Sequence, residues 1–232
     1  MDISLSEILV ASDYDRTLAS EENNFIISPH VAKKINEFSK KYKLVVVTGR
    51  EKKFIDKLAI GLNPTAWILE NGALILYENK EIKLCGEDWI ERRKKITEIL
   101  DKANVNYSLG KVIIYVNNYK DKLDKIIKEM EEYGKIEINR NDAMILPKGV
   151  DKGTALLKFK ELINFKGKIV AIGDSENDYT LFRVADIKVA VANAIPQIKE
   201  IADIVTTKPN GAGVLEILDQ ISSGNLFSLL RK

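Results

Sequence analysis

The sequence predicts an α/β fold: a doubly wound, Rossmann-like parallel sheet with a small α+β unit inserted into it. Three observations carry this expectation. Apolar runs alternate with helical stretches through the first third of the chain. Three runs, EILVA (residues 7–11) and KLVVV (43–47) there and KIVAI (168–172) in the last third, are apolar at successive positions rather than at alternate ones. Strands covered on both faces of a parallel sheet read this way. The pattern breaks over residues 85–148, where Lys/Glu-rich helices and short strands intervene, and then resumes.

The elements follow in order. EILVA is the first buried strand. Ser28 and Pro29 open a helix over residues 30–39, Ser as N-cap and Pro at the first helical position. Val31, Ile35 and Phe38 share its inner face. KLVVV is the second strand, residues 51–62 a helix, and TAWIL (65–69) the third strand. Asn71-Gly72 turns the chain into a strand at 73–77, and residues 78–80 form a hairpin back to 81–84. In the insert, residues 88–103 form a charged helix with Ile90, Ile96, Ile99 and Leu100 facing inward. KVIIYV (111–116) is a strand, and 119–133 a helix with Leu123, Ile126, Ile127 and Met130 as its apolar stripe. Short strands follow at 135–138 and 143–146. Helices at 151–163, 177–185, 196–202 and 213–221 then alternate with strands at 168–172, 187–191 and 204–207. The expected domains are a discontinuous core of residues 1–84 and 149–232, and an insert of 85–148.

Composition excludes several classes. With 232 residues, 45% hydrophobic and 30% charged, the chain is neither disordered nor fibrous. Its 36 Lys+Arg nearly cancel 34 Asp+Glu, so charge gives no reason to expect nucleic acid or an anionic membrane as partner. One cysteine (Cys85) excludes an intramolecular disulfide or a multi-cysteine metal cluster. One histidine (His30) excludes a His-rich metal site. No run approaches the ~18 apolar residues of a membrane span, so a cytoplasmic protein, monomer or homodimer, is expected.

The chemistry gathers where strands end. EILVAS runs into Asp13-Tyr14-Asp15-Arg16-Thr17, KLVVV into Thr48-Gly49-Arg50, and KIVAI into Gly173-Asp174-Ser175-Glu176-Asn177-Asp178. Open parallel sheets bind ligands at the carboxyl ends of their strands. Adjacent parallel strands would bring Asp13, Asp15, Thr48, Asp174 and Asp178 to one crevice. Four carboxylates so placed need a cation, or some must be protonated, and an all-oxygen set suits Mg²⁺. With a Thr hydroxyl and Lys152 at a helix start, such a site can hold a phosphoryl group.

These segments resemble the haloacid dehalogenase-like superfamily. DYDRTL (13–18) resembles its DxDxT pattern, VVVTGR (45–50) its second motif, VDKGTAL (150–156) its third and GDSENDYTLF (173–182) its fourth. ILENGA and VAVANAIPQIKEIADIVT resemble the Cof-like branch. The insert lies between the second and third motifs, which implies a type IIB-like cap. Chain length, insert size and motif spacing are similar to those of short archaeal phosphoglycolate phosphatases.

The resemblance implies a Mg²⁺-dependent phosphatase acting on a small phosphorylated metabolite through an aspartyl-phosphate, with phosphoglycolate as the leading substrate. Sugar phosphates or mannosyl-3-phosphoglycerate are the alternatives, followed by a phosphotransferase or phosphomutase on the same scaffold, and last a non-catalytic phosphate-binding module. It implies Asp13 as nucleophile and Asp15 as general acid and base. It implies Thr48, Lys152 and Asn177 on the phosphate. The metal would be held by Asp13, Asp174, Asp178 and the backbone carbonyl of Asp15.

Arg16 stands where many relatives carry Gly; its side chain could reach substrate, pair with an acid or point to solvent, and solvent is the expectation. Arg140, between two Asn residues, is expected in a plain turn rather than on a substrate carboxylate. His30 reads as a surface residue, Trp67 and Trp89 as packing residues, and Gly211-Ala212-Gly213 as a loop before the last helix.

Overall fold

A computed structural model describes residues 8–119, 123–139 and 141–226. Strands β1 (Ile8–Asp13), β2 (Lys43–Val47) and β3 (Ala66–Leu69) alternate with helices α1 (Pro29–Ser39) and α2 (Lys52–Leu58). Hairpin strands β4 (Leu74–Tyr77) and β5 (Lys80–Lys83) follow. Next come α3 (Trp89–Lys102), β6 (Ser108–Leu109), β7 (Ile114–Val116), α4 (Ile127–Glu131), β8 (Lys135–Asn139) and β9 (Asp142–Leu146). The last third runs through α5 (Lys152–Leu162), β10 (Lys168–Gly173), α6 (Tyr179–Arg183), β11 (Ile187–Ala190), α7 (Pro196–Ile201), β12 (Ile204–Val205) and α8 (Asn210–Ser222).

Two sheets organise these elements. The larger has eight strands in the order β12-β11-β10-β1-β2-β3-β4-β5. It is parallel from β12 through β3, and the β4–β5 hairpin extends it antiparallel. The smaller is antiparallel, in the order β6-β7-β9-β8. All six residues of β1 are buried. Each fully buried Leu, Ile or Val here stabilises the fold by about 1.5–3 kcal/mol. The smaller sheet packs with α3 on a separate apolar cluster that includes Trp89, Ile96, Leu100 and Ile145.

Strand order sets the site. β1 lies between β10 and β2, with Ser12 beside Ile172 and Asp13 beside Val47. The chain leaves β1 toward β2 on one side and returns as β10 on the other. That is the topological switch point where open sheets form a crevice.

Several elements differ from expectation for physical reasons. Ser28 occupies the N-cap of α1, but its side chain makes no capping hydrogen bond there. Ile90 is 79% exposed, and Trp89 takes the inward position, its Nε1 donating to the Val112 carbonyl. The strand expected at 111–116 shortens to Ile114–Val116 because the amides of Lys111, Val112 and Ile113 donate to the Glu70 carboxylate instead. The helix expected at 119–133 is described only as α4, with residues 120–122 outside the described region. Residues 177–185 divide into a 3₁₀ turn (Glu176–Asp178) and α6. Helix α8 starts at Asn210, so Gly211 and Gly213 lie in its first turn. There a Cβ on Gly211 would crowd the Leu18 carbonyl. Glu78 and Asn79, both at positive φ, make the two-residue hairpin turn that joins β4 to β5. His30 is exposed and Trp67 half-buried, as the sequence led us to expect. No helix of the described residues is long and apolar enough to cross a membrane.

Candidate active site

Asp13 ends β1, Asp174 follows β10, and Asp178 closes the 3₁₀ turn after it. All three are buried, and one oxygen from each lies within 4.8 Å of the others. Lys152, the first residue of α5, is fully buried between them. Its Nζ donates to Asp13 Oδ1 at 2.6 Å and to Asp178 Oδ1 at 2.7 Å.

Local sequence explains this placement. Asp151 caps α5 by accepting from the Thr154 amide at 2.8 Å, while Thr154 Oγ1 accepts from the Asp151 amide at 2.9 Å. This reciprocal cap fixes the first turn and the start point of the Lys152 side chain. Gly153 has no Cβ because the Thr180 carbonyl occupies that space. On the other loop, Asp178 Oδ2 accepts from the amides of Asp174 and Ser175, at 2.9 and 3.1 Å. One carboxylate thus ties the Asp174 loop into shape and still presents its second oxygen to Lys152.

The electrostatics are strained. Burial, then the like charges of Asp178, Asp174 and Asp15, push the Asp13 carboxyl well above the usual range against the pull of Lys152. Burial and Asp178 push Asp174 up to about 6, against the pull of Arg16. Burial disfavours the Lys152 ammonium, but Asp13 and Asp178 outweigh it and hold Lys152 above its ordinary value. Closely spaced buried carboxylates with oxygen donors alone fit a hard divalent cation. Asp13, Asp174 and Asp178 are the residues that could hold it.

Around this cluster the expected residues fall as follows. Thr48 is buried just after β2, and its hydroxyl accepts from the Arg50 amide at 3.2 Å. Asn177 donates to Asn71 Oδ1 at 3.2 Å and lines the same cavity as Asp13 and Asp15. Asp15 faces that cavity outside the three-carboxylate cluster. Its carboxylate is gripped by Arg50, whose Nη2 lies 2.6 Å from Oδ1. Arg50 in turn stacks on Phe25, 4.8 Å from the ring centre.

Arg16 corrects the sequence reading. Its side chain is only 13% exposed, and Nε donates to Asp174 Oδ2 at 3.1 Å. Arg140 lies outside the described residues.

The cavity measures about 520 Å³. Asp13, Asp15, Gly49, Arg50, Ser175 and Asn177 line it from the carboxyl ends of β1, β2 and β10, and Ser108, Tyr115, Asn117 and Met144 from the smaller-sheet side. Tyr115 Oη donates to the Gly49 carbonyl at 2.8 Å, so the two sides meet directly. Sequence reasoning missed three more joints. Glu70 accepts from the amides of 111–113, Asn71 Nδ2 donates to Glu137 Oε2 at 2.7 Å, and Lys135 reaches both Glu137 and Asp151. For the Glu70 and Asn71 joints the signal available was ENG (70–72), polar residues closing a buried strand, which reads as a turn and as part of the Cof-like ILENGA segment.

The sequence pattern of the haloacid dehalogenase-like hydrolases matches residues 10–112 and 91–218. The chain belongs to the haloacid dehalogenase-like hydrolase family. It is 74% identical over 226 residues to phosphoglycolate phosphatase 2 of Saccharolobus solfataricus, covering 97% of each chain. It is 56% identical over 216 residues to a phosphoglycolate phosphatase of Sulfurisphaera tokodaii, covering 92% of this chain and 93% of that one. Among solved structures, Thermoplasma acidophilum 0175 superposes with a TM-score of 0.79 at 23% identity, covering 92% of this chain and 97% of that one. The same haloacid dehalogenase-like fold appears in a Bacillus subtilis hydrolase, with a TM-score of 0.76 at 20% identity over 91% of this chain and 98% of that one.

Proposed function

We propose that this haloacid dehalogenase-like hydrolase is a Mg²⁺-dependent phosphatase acting on 2-phosphoglycolate in the cytoplasm. The carrying observation is Lys152, fully buried and bonded at once to Asp13 and Asp178. A buried ammonium between acids is costly unless it organises charge for a purpose. The substrate reading rests on the named relatives, whose identity extends over nearly the whole chain.

A bound Mg²⁺, held by Asp13, Asp174, Asp178 and the Asp15 carbonyl, would supply electrostatic relief for the phosphoryl oxygens. The residues do the rest. Asp13 attacks phosphorus in line as the ester P–O bond breaks, forming an aspartyl-phosphate. Asp15 gives its proton to the departing alkoxide of glycolate. Asp15 then takes a proton from the water that attacks the aspartyl-phosphate, releasing phosphate and restoring Asp13. Lys152 and the Thr48 hydroxyl hold phosphoryl oxygens while charge moves onto them, with Asn177 at the rim. Residues 85–148 form the cap over the core of 1–84 and 149–232. It excludes bulk water and limits the size of the leaving group.

The test is phosphate release from a panel of phosphorylated metabolites with Mg²⁺, using Asp13→Asn as blank. Highest kcat/KM on phosphoglycolate supports the reading, and preference for a sugar phosphate refutes the substrate. Transfer to an acceptor hydroxyl in place of free phosphate refutes hydrolysis.

A further inference from the structure

Phosphoglycolate carries two anionic groups, and the cluster that meets its phosphoryl group leaves the carboxylate to be recognised elsewhere. That carboxylate sits one methylene from the ester oxygen. Whatever reads it must therefore stand close to Asp13. On the smaller-sheet side, the described residues facing the cavity are uncharged or acidic, namely Ser108, Tyr115, Asn117, Asn139, Asp142 and Met144. The described cations of the cavity come from the opposite side, Arg16 and Arg50 from the loops after β1 and β2 and Lys53 from α2.

Two of these are committed. Arg50 grips both oxygens of Asp15, at 2.8 and 3.0 Å through Nε, and lies over Phe25. Lys53 is 60% exposed and pairs with Glu51. Arg16 differs. Its backbone is pinned, the amide donating to the Ala19 carbonyl at 2.7 Å and the carbonyl accepting from Asn193 Nδ2 at 2.7 Å. Its side chain meets Asp174 through Nε. Its φ is +60°, a left-handed conformation that costs a residue with Cβ about 1 kcal/mol and glycine nothing. A bulky cation is thus held in a glycine-suited conformation three residues after Asp13.

Its partner is a member of the three-carboxylate cluster. Arg16 holds Asp174 Oδ2, while Oδ1 accepts from the Thr17 and Ser175 hydroxyls, so a divalent cation taking this carboxylate would compete with Arg16 for it. We propose that Arg16 is a specificity residue with two positions. It neutralises Asp174 until a divalent ion takes that carboxylate. It then turns its guanidinium into the cavity and binds the carboxylate of the substrate, as a planar fork does with high selectivity. This rests on the phosphoglycolate reading above.

Arg16→Gly tests it, since glycine suits φ +60° and the variant keeps the backbone geometry; Arg16→Lys serves as the conservative partner. First, Mg²⁺ binding is measured by calorimetry without substrate. Removing the competing cation is expected to tighten Mg²⁺ binding about 3-fold to 10-fold in Arg16→Gly. Unchanged or weaker binding overturns the competition. Second, kcat/KM is compared for phosphoglycolate and ethyl phosphate, which differ in the carboxylate. The ratio is expected to fall about 10-fold to 100-fold in Arg16→Gly, with partial recovery in Arg16→Lys. A ratio at the wild-type value overturns the proposal, as does the same fall in Arg140→Ala in its place. A wild-type enzyme with no preference for phosphoglycolate overturns the substrate reading, and the Arg16 assignment with it, before any variant is made.

Discussion

Lys152→Met removes the ammonium at the centre of the site and keeps most of its aliphatic stem. In the wild type that ammonium satisfies Asp13 at 2.6 Å and Asp178 at 2.7 Å, and it is inaccessible to water. Without it, two buried carboxylates lose their cation while Asp174 stays within 4.8 Å of both. Breaking one buried pair by deleting a partner costs about 3–5 kcal/mol. Two shared contacts on one ammonium do not double that, because the acids relax by protonation or water entry. The expected loss is about 3–5 kcal/mol of a total near 5–15 kcal/mol, or roughly 6–20 °C in Tm for a chain of this size. Urea unfolding followed by far-ultraviolet circular dichroism, in EDTA near pH 8, reads it. The loss should shrink in Lys152→Met/Asp178→Asn, which removes a carboxylate with its cation. A single variant within about 1 kcal/mol of wild type would refute the reasoning, because the carboxylates would then be balanced without Lys152.

Other expectations follow from the same geometry. Asp13→Asn should lower phosphate release about a thousandfold or more while the protein stays folded, as read by phosphate assay and circular dichroism. For Asp174, a folded pKa of about 6 lies above the unfolded value, so its ionisation opposes folding. That penalty is absent below the unfolded pKa near 3.8 and complete above about 6. Mg²⁺ should accordingly raise Tm more at pH 8 than at pH 5, in scanning fluorimetry against EDTA; an equal or larger rise at pH 5 contradicts this. Glu70→Ala strands the amides of 111–113 and should cost about 2–4 kcal/mol, with faster hydrogen exchange confined first to those amides. Unchanged exchange there would show that the Glu70 carboxylate does not hold the segment.

The parallel sheet was legible because β1, β2 and β10 are continuous apolar runs, a pattern that buried strands alone require. The polar residues ending them, Asp13, Thr48 and Asp174, were legible for the same reason: a polar residue just after such a run marks the sheet edge. What was illegible depends on partners far along the chain. Arg16 looked solvent-bound because its acid, Asp174, is 158 residues away. Lys111–Ile113 looked like strand because β propensity is local, whereas their amides go to Glu70 across 41 to 43 residues. On α3 the expected packing of Trp89, Ile96, Ile99 and Leu100 holds, and Ile90 alone turns outward, because Trp89 beside it fills the inward position at the helix start. Asn71 carried a turn signature that hid its second task, joining Asn177 to Glu137.

The central claim is that the Asp13 carboxylate carries the phosphoryl group between substrate and water. The direct measurement is an acid-quenched single turnover with phosphoglycolate labelled in its phosphoryl group, followed by peptide mapping. The account predicts a transient, hydroxylamine-labile phosphate on the peptide containing Asp13, missing in Asp13→Asn. Label on another residue, or product formed with no phosphorylated peptide at any time, would contradict it.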